Sequence, residues 1–255
     1  MTSKTVVIVG DNLLAKELSK SFQENAQVHL VDQKRMDVQV DVVIETSNLD
    51  KEEKKRRIQE IEASVSPSTL ILSTSLGVTA TEVASWLTYP ERVIGFGTFA
   101  NFKKGNLIEV TMPLQANSSY VEAAADTFSL IGQDVELVED EVGLVFPRIL
   151  SMIVNEAAYA LTEQTAEAKS IDIAMKKGTN YPMGPLEWAQ EIGLDDIYAV
   201  LSGLYRELGE ERYRPAPLIR KLVYAGWIGG ETDKCFYHYQ KVQIRSFQYE
   251  RSCHN

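Results

Sequence analysis

Residues that bind metals or form disulfide frameworks are scarce in this chain of 255 residues. The cysteines are Cys235 and Cys253, and the histidines are His29, His238 and His254. Two cysteines cannot form a disulfide framework or a four-ligand zinc site, and the scattered histidines match no metal-binding spacing. We therefore expect no metal site.

Positively charged residues are also fewer than negatively charged ones. The chain has 26 Lys and Arg against 36 Asp and Glu, which gives a formal net charge of −10. This balance argues against a general nucleic-acid binder, which is usually basic, and against binding to an anionic membrane surface. It does not exclude a small phosphate-bearing ligand, because helix N-termini hold phosphates on acidic proteins as well.

Long apolar runs are missing too, and no stretch of 18 consecutive apolar residues occurs. The first residues lead directly into a strand pattern, without the apolar segment of a signal peptide. We therefore expect neither a membrane span nor membrane partners, and we expect a cytoplasmic protein.

The chain does contain short apolar runs that alternate with helical patterns as far as about residue 110. Leu14, Leu18 and Phe22 are spaced by four, which is typical of the buried stripe of a helix. Strands that alternate with helices indicate a parallel sheet covered by helices on both faces. The predicted strands are residues 6–9, 28–31, 42–44, 69–72, 93–96 and 107–110.

The pattern changes near residue 141, and the chain then reads as helices only. Ile149, Met152 and Ile153 begin a stripe with helical spacing. Further helices are predicted over residues 185–192, 196–208 and 217–225. We therefore predict an α/β domain over residues 1–140, an all-α domain over 141–240 and a loose tail over 241–255.

The turn after the first strand resembles part of a dinucleotide-binding motif. Such a motif needs glycines for the tight turn and for close approach to the pyrophosphate, with an acidic residue after the next strand for the ribose. Gly10 keeps the first glycine, Asn12 replaces the second, and Ala15 is acceptable as the third. Asp32 follows Gly10 by 22 residues, a suitable spacing for the ribose. The residues alone leave cofactor binding and loss of binding equally open.

Longer motifs identify a family resemblance that covers roughly residues 5–240. Residues 174–187 read AMKKGTNYPMGPLE, and IGLD follows at residues 192–195. With the pattern over residues 217–237, they resemble the 3-hydroxyacyl-CoA dehydrogenase family, and in particular its short bacterial 3-hydroxybutyryl-CoA dehydrogenases. The resemblance implies a Rossmann-type parallel-sheet domain followed by an all-α domain. It also implies NAD as cofactor, a small acyl or hydroxyacyl substrate, and a homodimer formed through the helical domain.

The family's catalytic residues carry over only in part. Gly97 stands where the resemblance places the catalytic histidine, and Pro147 stands where it places an asparagine. The glutamate that orients the histidine is kept as Glu109. Thr74 or Ser75 is the nearest match for the family's serine. A glycine cannot accept a proton, so these changes favour lost or altered chemistry.

The chain is also shortened after Asp32. Residues 33–40 span a stretch where the family has several tens of residues, including a helical hairpin that helps to hold the CoA nucleotide. Eight residues cannot form two helices. The resemblance therefore implies fewer contacts to CoA here.

Two functional hypotheses follow. One is a divergent oxidoreductase in which Glu109, Tyr181 or Lys176 supplies the acid or base. The other is a catalytically impaired homologue that acts as a nucleotide-binding, regulatory or complex-forming protein. We expect very low or changed dehydrogenase activity and weak binding of NAD.

Overall fold

The structure is a computed structural model that describes residues 3–33, 39–101 and 106–240. The predicted loose tail, residues 241–255, lies outside the described residues. All statements below concern the described residues.

Seven strands form one sheet with the spatial order β2-β1-β3-β4-β5-β6-β7. Every neighbouring pair is parallel except β5 and β6, which are antiparallel. The strands are β1 (Lys4–Val9), β2 (Val28–Val31), β3 (Val42–Glu45), β4 (Leu70–Thr74), β5 (Val93–Gly97), β6 (Leu107–Thr111) and β7 (Asp134–Val138).

All six predicted strands are present, with ends that differ from the predicted ones by no more than two residues. The expectation of a parallel sheet is corrected at β6, which runs antiparallel to β5. Residues 98–106 alone connect the two strands, and a parallel crossover needs about a dozen residues or more. The sequence analysis also missed β7. This strand lies at the sheet edge with exposed Asp134 and Glu136, so it lacks the continuous apolar run of a central strand.

Nine α-helices accompany the sheet in the described residues. They are α1 (Leu13–Gln23), α2 (Lys51–Ser64), α3 (Ala80–Ala84), α4 (Ser119–Ser129), α5 (Phe146–Thr162), α6 (Ala168–Thr179), α7 (Pro185–Ile192), α8 (Leu194–Leu208) and α9 (Pro217–Tyr224). After β7 the chain is helical, as predicted.

Successive residues of each central strand point to opposite faces of the sheet, and both faces are buried. On β1, Val6 belongs to the apolar core beneath α1 and α4, whereas Val7 belongs to the core beneath α2 and α3. Strands buried on both faces need apolar residues at consecutive positions, which explains the unbroken apolar runs in the sequence.

The helical region has a core of its own, built largely from α5, α7, α8 and α9. It meets the sheet region where α8 crosses the loop after β4. A Cβ atom at Gly203 of α8 would lie only 2.4 Å from the carbonyl oxygen of Gly77. Glycine is therefore required at position 203 for the two parts of the chain to pack this closely.

We predict opposite effects of the same substitution at two helical glycines. Gly203→Ala should destabilise the protein by about 1–3 kcal/mol, because the added methyl group meets backbone atoms. Gly178→Ala in α6 should stabilise it by about 0.5–1 kcal/mol, because that Cβ would have no neighbour within 4 Å and alanine favours the helix. Urea denaturation of both variants measures these effects. Equal stability of the two variants would contradict the close approach at Gly203.

Candidate functional site

The order of the strands places a topological switch point between β1 and β3. The chain leaves β1 to form β2 on one side, and then returns to form β3 on the other. Ligands of open α/β sheets usually bind in the crevice outside the carboxyl ends of two such strands. In this protein, the turn after β1 and the loop after β3 face each other there.

The residues at this switch point are bonded to one another. Asn12 is the N-cap of α1, and its Oδ1 accepts a hydrogen bond from the backbone N–H of Ala15 at 3.0 Å. Its Nδ2 donates to the carbonyl oxygen of Thr46 at 2.8 Å, and the Thr46 hydroxyl donates to Asn12 Oδ1 at 3.0 Å. Thr46 also covers Gly10, where a Cβ would lie 2.1 Å from Thr46 Oγ1. The side chains of Asn12 and Thr46 thus bridge the turn after β1 and the loop after β3.

Asp32 follows the end of β2 and is exposed. It lines a cavity of about 310 Å³ together with Gly10, Ser19 and Leu30. The structure therefore brings Asp32 and Gly10 to one cavity, as their spacing in the sequence suggests.

A second group of predicted residues lies where β5 meets β6. Gly97 and Glu109 are direct cross-strand partners. Glu109 Oε2 accepts a hydrogen bond from the N–H of Val145 at 2.8 Å, and Oε1 accepts one from the N–H of Phe146 at 2.7 Å. Both oxygens of this carboxylate are thus engaged by the N-terminus of α5, a favourable place for negative charge.

Leu144 covers Gly97 on this side of the sheet. A Cβ at position 97 would lie 2.7 Å from Leu144 Cδ1. Leu144 has a φ of +50°, a left-handed conformation that is uncommon for residues other than glycine. The preceding Gly143 donates its N–H to the carbonyl oxygen of Ser75 at 2.8 Å, which fixes this turn against β4.

The other predicted catalytic residues lie in the interior. Thr74 is fully buried; its hydroxyl donates to Asn48 Oδ1 at 2.5 Å and accepts from Lys54 Nζ at 3.1 Å. Ser75 is also fully buried. Pro147 is buried in the first turn of α5, where proline is tolerated because its missing N–H would be unpaired.

Thr74 belongs to a buried polar network that sequence analysis did not foresee. Lys54 Nζ lies 2.5 Å from Glu45 Oε2 and donates to the carbonyl oxygen of Ser47 at 2.8 Å. Ser73 donates to the same Glu45 oxygen at 2.9 Å. Burial lowers the pKa of Lys54, while the adjacent carboxylate of Glu45 opposes that shift. Lys54 lies in the run of charged residues 50–57, a pattern typical of a solvated helix face, so nothing in the sequence distinguishes it from its neighbours.

The network continues into the helical region through one amide. Asn48 Nδ2 donates to Asp196 Oδ1 of α8 at 2.8 Å. Burial, together with the nearby charge of Asp195, raises the pKa of Asp196 to about 8, although the Asn48 hydrogen bond and the charge of Lys54 oppose the rise. The carboxyl of Asp196 therefore keeps its proton to a higher pH in the folded protein than an exposed aspartate does.

A cleft of about 730 Å³ opens beside Gly97. Its lining residues belong to β5 and the residues just after β5, to β6, to the start of α5, and to α7 and the loop before α7. It is lined by Gly97, Thr98, Phe99, Ala100, Asn101, Asn106, Leu107, Glu109, Phe146, Pro182, Met183, Trp188 and Ile192. Neither Thr74 nor Ser75 is among these residues.

The two other candidate acid or base residues are not among the lining residues, and their side chains have partners of their own. The ring of Tyr181 contacts that of Trp188 edge-on, with centroids 6.3 Å apart. Lys176 Nζ donates to Glu187 Oε2 at 2.8 Å, and this hydrogen bond raises the lysine pKa. A lysine base requires the opposite shift.

Two kinds of feature were searched for across residues 3–33, 39–101 and 106–240. These ranges contain no group of three or more His, Cys, Asp or Glu side chains that could hold a metal ion. Within the same ranges, every helix is too short or too polar to span a bilayer.

The mostly parallel sheet, with its glycine turn at the switch point and helices α5–α9 behind it, defines a Rossmann-like protein with a helical C-terminal region. Residues 8–141 match the sequence model of the 3-hydroxyacyl-CoA dehydrogenase NAD binding domain, and residues 143–239 match that of the C-terminal domain of the same enzymes. The chain belongs to the 3-hydroxyacyl-CoA dehydrogenase family.

Individual relatives agree with this assignment. The chain is 34% identical over 235 residues to 3-hydroxybutyryl-CoA dehydrogenase of Bradyrhizobium diazoefficiens, covering 89% of this chain and 80% of the relative. It is 35% identical over 204 residues to a probable 3-hydroxybutyryl-CoA dehydrogenase of Bacillus subtilis, covering 79% and 70% of the two chains. The crystal structure of (S)-3-hydroxybutyryl-CoA dehydrogenase from Ralstonia eutropha is similar at a TM-score of 0.72, with 26% identity and coverage of 92% and 98%.

The buried carboxyl of Asp196 predicts an unusual dependence of stability on pH. Its pKa rises from an ordinary 3.8 to about 8 on folding, so folding takes up a proton between these values. The contribution of this group to the free energy of unfolding is fully present below pH 4 and is lost as the pH rises toward 8. In urea denaturation, the wild type should lose at least about 1.4 kcal/mol more than Asp196→Asn between pH 5 and 8, the equivalent of one pKa unit.

The matched control for this measurement is Glu231→Gln, which changes an exposed carboxylate paired with Lys16. Its profile should follow that of the wild type. Parallel profiles for the wild type and Asp196→Asn would show that Asp196 titrates alike in both states and would refute the prediction.

Proposed function

We propose that this protein is a 3-hydroxyacyl-CoA dehydrogenase homologue whose dehydrogenase activity is very low or absent. The observation that carries the proposal is the contact between Leu144 and Gly97. Hydride transfer from a hydroxyl carbon needs a group that takes the hydroxyl proton, and losing such a general base typically costs about 10²–10⁴ in rate. Gly97 offers no side chain for this, and Leu144 fills the adjacent space with methyl groups.

Glu109 is poorly suited to replace the missing base. Both of its oxygens accept hydrogen bonds from the N-terminus of α5, at Val145 and Phe146. Both bonds hold the carboxylate in place, whereas a base has to aim an oxygen at the substrate's proton. Pro147 brings no side-chain donor where the resemblance places the family's asparagine.

The residues at the switch point fit a dinucleotide poorly, and weak NAD binding is the second part of the proposal. A pyrophosphate bound at a helix N-terminus accepts hydrogen bonds from backbone N–H groups and needs close approach to the glycine turn. The N–H of Ala15 is bonded to Asn12, and Thr46 covers Gly10. Asp32 beside its cavity is compatible with a ribose contact, so a weak residual interaction with the nucleoside part is expected.

The remaining expectations concern the substrate class, the oligomeric state, the domain boundary and the location of the protein. The relatives are named for 3-hydroxybutyryl-CoA, so a small acyl or hydroxyacyl compound is the substrate class that we propose for any residual activity. A homodimer through the helical domain, the domain boundary near residue 140 and a cytoplasmic location stay predictions. The non-enzymatic role that we favour is that of a binding or complex-forming protein.

We predict that the purified protein does not reduce acetoacetyl-CoA with NADH at an ordinary enzymatic rate. The expected rate is lower by at least about 10²-fold than that of the Bradyrhizobium diazoefficiens relative under the same conditions, because no side chain occupies the base position. Absorbance of NADH at saturating substrate measures the rate. A rate comparable to the relative's would refute the proposal and favour a divergent oxidoreductase.

A double substitution should create NADH binding. Asn12→Gly with Thr46→Ala removes both side chains from the switch point and frees the N–H of Ala15. In a thermal-shift titration the wild type should show only a small shift that does not saturate up to millimolar NADH, whereas the double variant should show a saturable increase in Tm.

The matched control is Thr79→Ala, which removes the N-cap of α3, where the Thr79 hydroxyl accepts from the N–H of Glu82 at 3.1 Å. It should lower Tm without creating a response to NADH. Saturable binding to the wild type at micromolar NADH would show that Asn12 and Thr46 do not block the dinucleotide.

A further inference from the structure

We propose that an exposed groove beside α5 binds a linear aliphatic carboxylate. The groove shares no lining residue with the cleft beside Gly97. The inference therefore goes beyond the proposed function, and it does not depend on whether the protein retains dehydrogenase activity.

The groove runs between one face of α5 and a short 3₁₀ turn, Glu211–Tyr213. Its volume is about 460 Å³, which lies within the usual range for small-molecule sites. Arg212 and Tyr213 line it from the turn. The α5 residues that line it have the three- and four-residue spacing of a single helix face, and they are Arg148, Ile149, Met152, Ile153 and Glu156.

Two guanidinium groups are positioned by one buried ring at the end of the groove where α5 begins. Tyr213 is buried, and the guanidinium carbons of Arg212 and Arg148 lie 4.6 Å and 5.2 Å from its ring centroid. Arg148 also donates a hydrogen bond to the Tyr213 hydroxyl. Planar guanidinium groups held in this way match the two oxygens of a carboxylate.

Both arginines have donors to offer a ligand. A guanidinium has five N–H donors, and within the described residues Arg148 uses its Nη2 for the Tyr213 hydroxyl. Arg212 Nε donates to Glu210 Oε2 at 2.7 Å, but both of these side chains are more than half exposed. Exposed ion pairs of this kind contribute little, so a ligand carboxylate can compete for the Arg212 guanidinium.

The middle of the groove is aliphatic. Ile149 is 55% exposed, and Met152 and Ile153 are half-buried on the same face of α5. An alkyl chain laid along these residues removes apolar surface from water, and the flexible methionine can adapt to its shape. A linear chain can follow the helix axis over all three residues while its head group stays at the arginines.

The charges give the groove a direction. Glu156 is exposed and lies eight residues after Arg148, which is about 12 Å along a helix axis. A carboxylate is attracted to the arginine end and repelled at the Glu156 end. A cationic head group would find only this exposed carboxylate among the described lining residues, without a buried wall such as Tyr213 beside it. The arrangement therefore favours an anionic head group.

The test uses octanoate and the full chain labelled with ¹³C at its methionine methyl groups. The NMR signal of Met152 is assigned by its loss in Met152→Leu, and octanoate should shift it saturably. Octanamide and octylammonium should bind at least about tenfold more weakly, because neither forms a charge-assisted pair with the arginines. Butyrate should also bind at least about tenfold more weakly, because it buries fewer methylene groups. No shift with octanoate, or equal binding of octanoate and octylammonium, would overturn the proposal.

Substitutions at the two ends test the direction of binding. Arg212→Gln should weaken octanoate binding by about five- to tenfold and leave octanamide almost unchanged. Glu156→Gln should change octanoate binding by less than about twofold, because an exposed charge this far from the head group is screened. The matched control is Arg56→Gln, at an exposed arginine of α2 that is not among the lining residues. Equal weakening by Arg212→Gln and Arg56→Gln would show that octanoate binds elsewhere and would overturn the assignment.

A second copy of the chain is the competing occupant of this face of α5. It would make the Met152 signal depend on protein concentration, and sedimentation velocity would show a dimer that octanoate does not dissociate. That result would overturn the proposal. A Met152 signal that is independent of protein concentration, together with saturable octanoate binding, supports it.

Discussion

The buried ion pair between Lys54 and Glu45 is the interaction on which the polar network inside this protein depends. The Lys54 ammonium reaches from α2 to Glu45 at the end of β3, to Thr74 at the end of β4, and through Thr74 and Asn48 to Asp196 of α8. A buried ion pair contributes little net stability compared with a well-packed apolar core, but removal of one partner alone is strongly destabilising. The network therefore fixes the carboxyl edge of the sheet against the helical region more than it strengthens the fold.

Several helix N-termini are also satisfied from within the chain, because its own side chains supply the hydrogen-bond acceptors. Asn12 binds the start of α1 and Glu109 that of α5. Asp140 accepts from the first turn of α3, and Asp172 accepts from the first turn of α7 at 2.8 and 2.9 Å. Helix N-termini are natural anion sites, so a chain that satisfies them internally has less to offer an external phosphate. In this fold, the N–H groups at these helix N-termini thus serve hydrogen bonds within the chain.

The sequence was informative about the fold because the central strands are buried on both faces and so read as unbroken apolar runs. The apolar pattern did not predict β7, because the edge position of this strand allows polar residues such as Asp134 and Glu136. At the site, the sequence identified where the family's residues should be, including Gly97, but gave no sign of Leu144. A leucine in the left-handed region follows no local pattern. Leu144 lies against Gly97 of β5, and the preceding Gly143 donates its N–H to Ser75, so distant parts of the chain define this turn.

The sequence did not predict the hydrogen bond between Thr46 and Asn12 either, for a related reason. The pairing of Thr46 with Asn12 joins residues 34 positions apart. Propensity and spacing describe neighbours along the chain, whereas this contact exists only once β1 and β3 are side by side. The roles of Glu109, Thr74, Ser75 and Asp32 stay predictions, although their positions are now defined.

The contact between Leu144 and Gly97 also bears on how the chain could accept a side chain at position 97. A Cβ there would lie 2.7 Å from Leu144 Cδ1, so the end of the leucine side chain would have to shift. Leu144 is itself buried, and the tightly packed residues around it limit that movement. Sequence change at position 97 is therefore coupled to change at position 144, and substitutions at the two positions should not be additive.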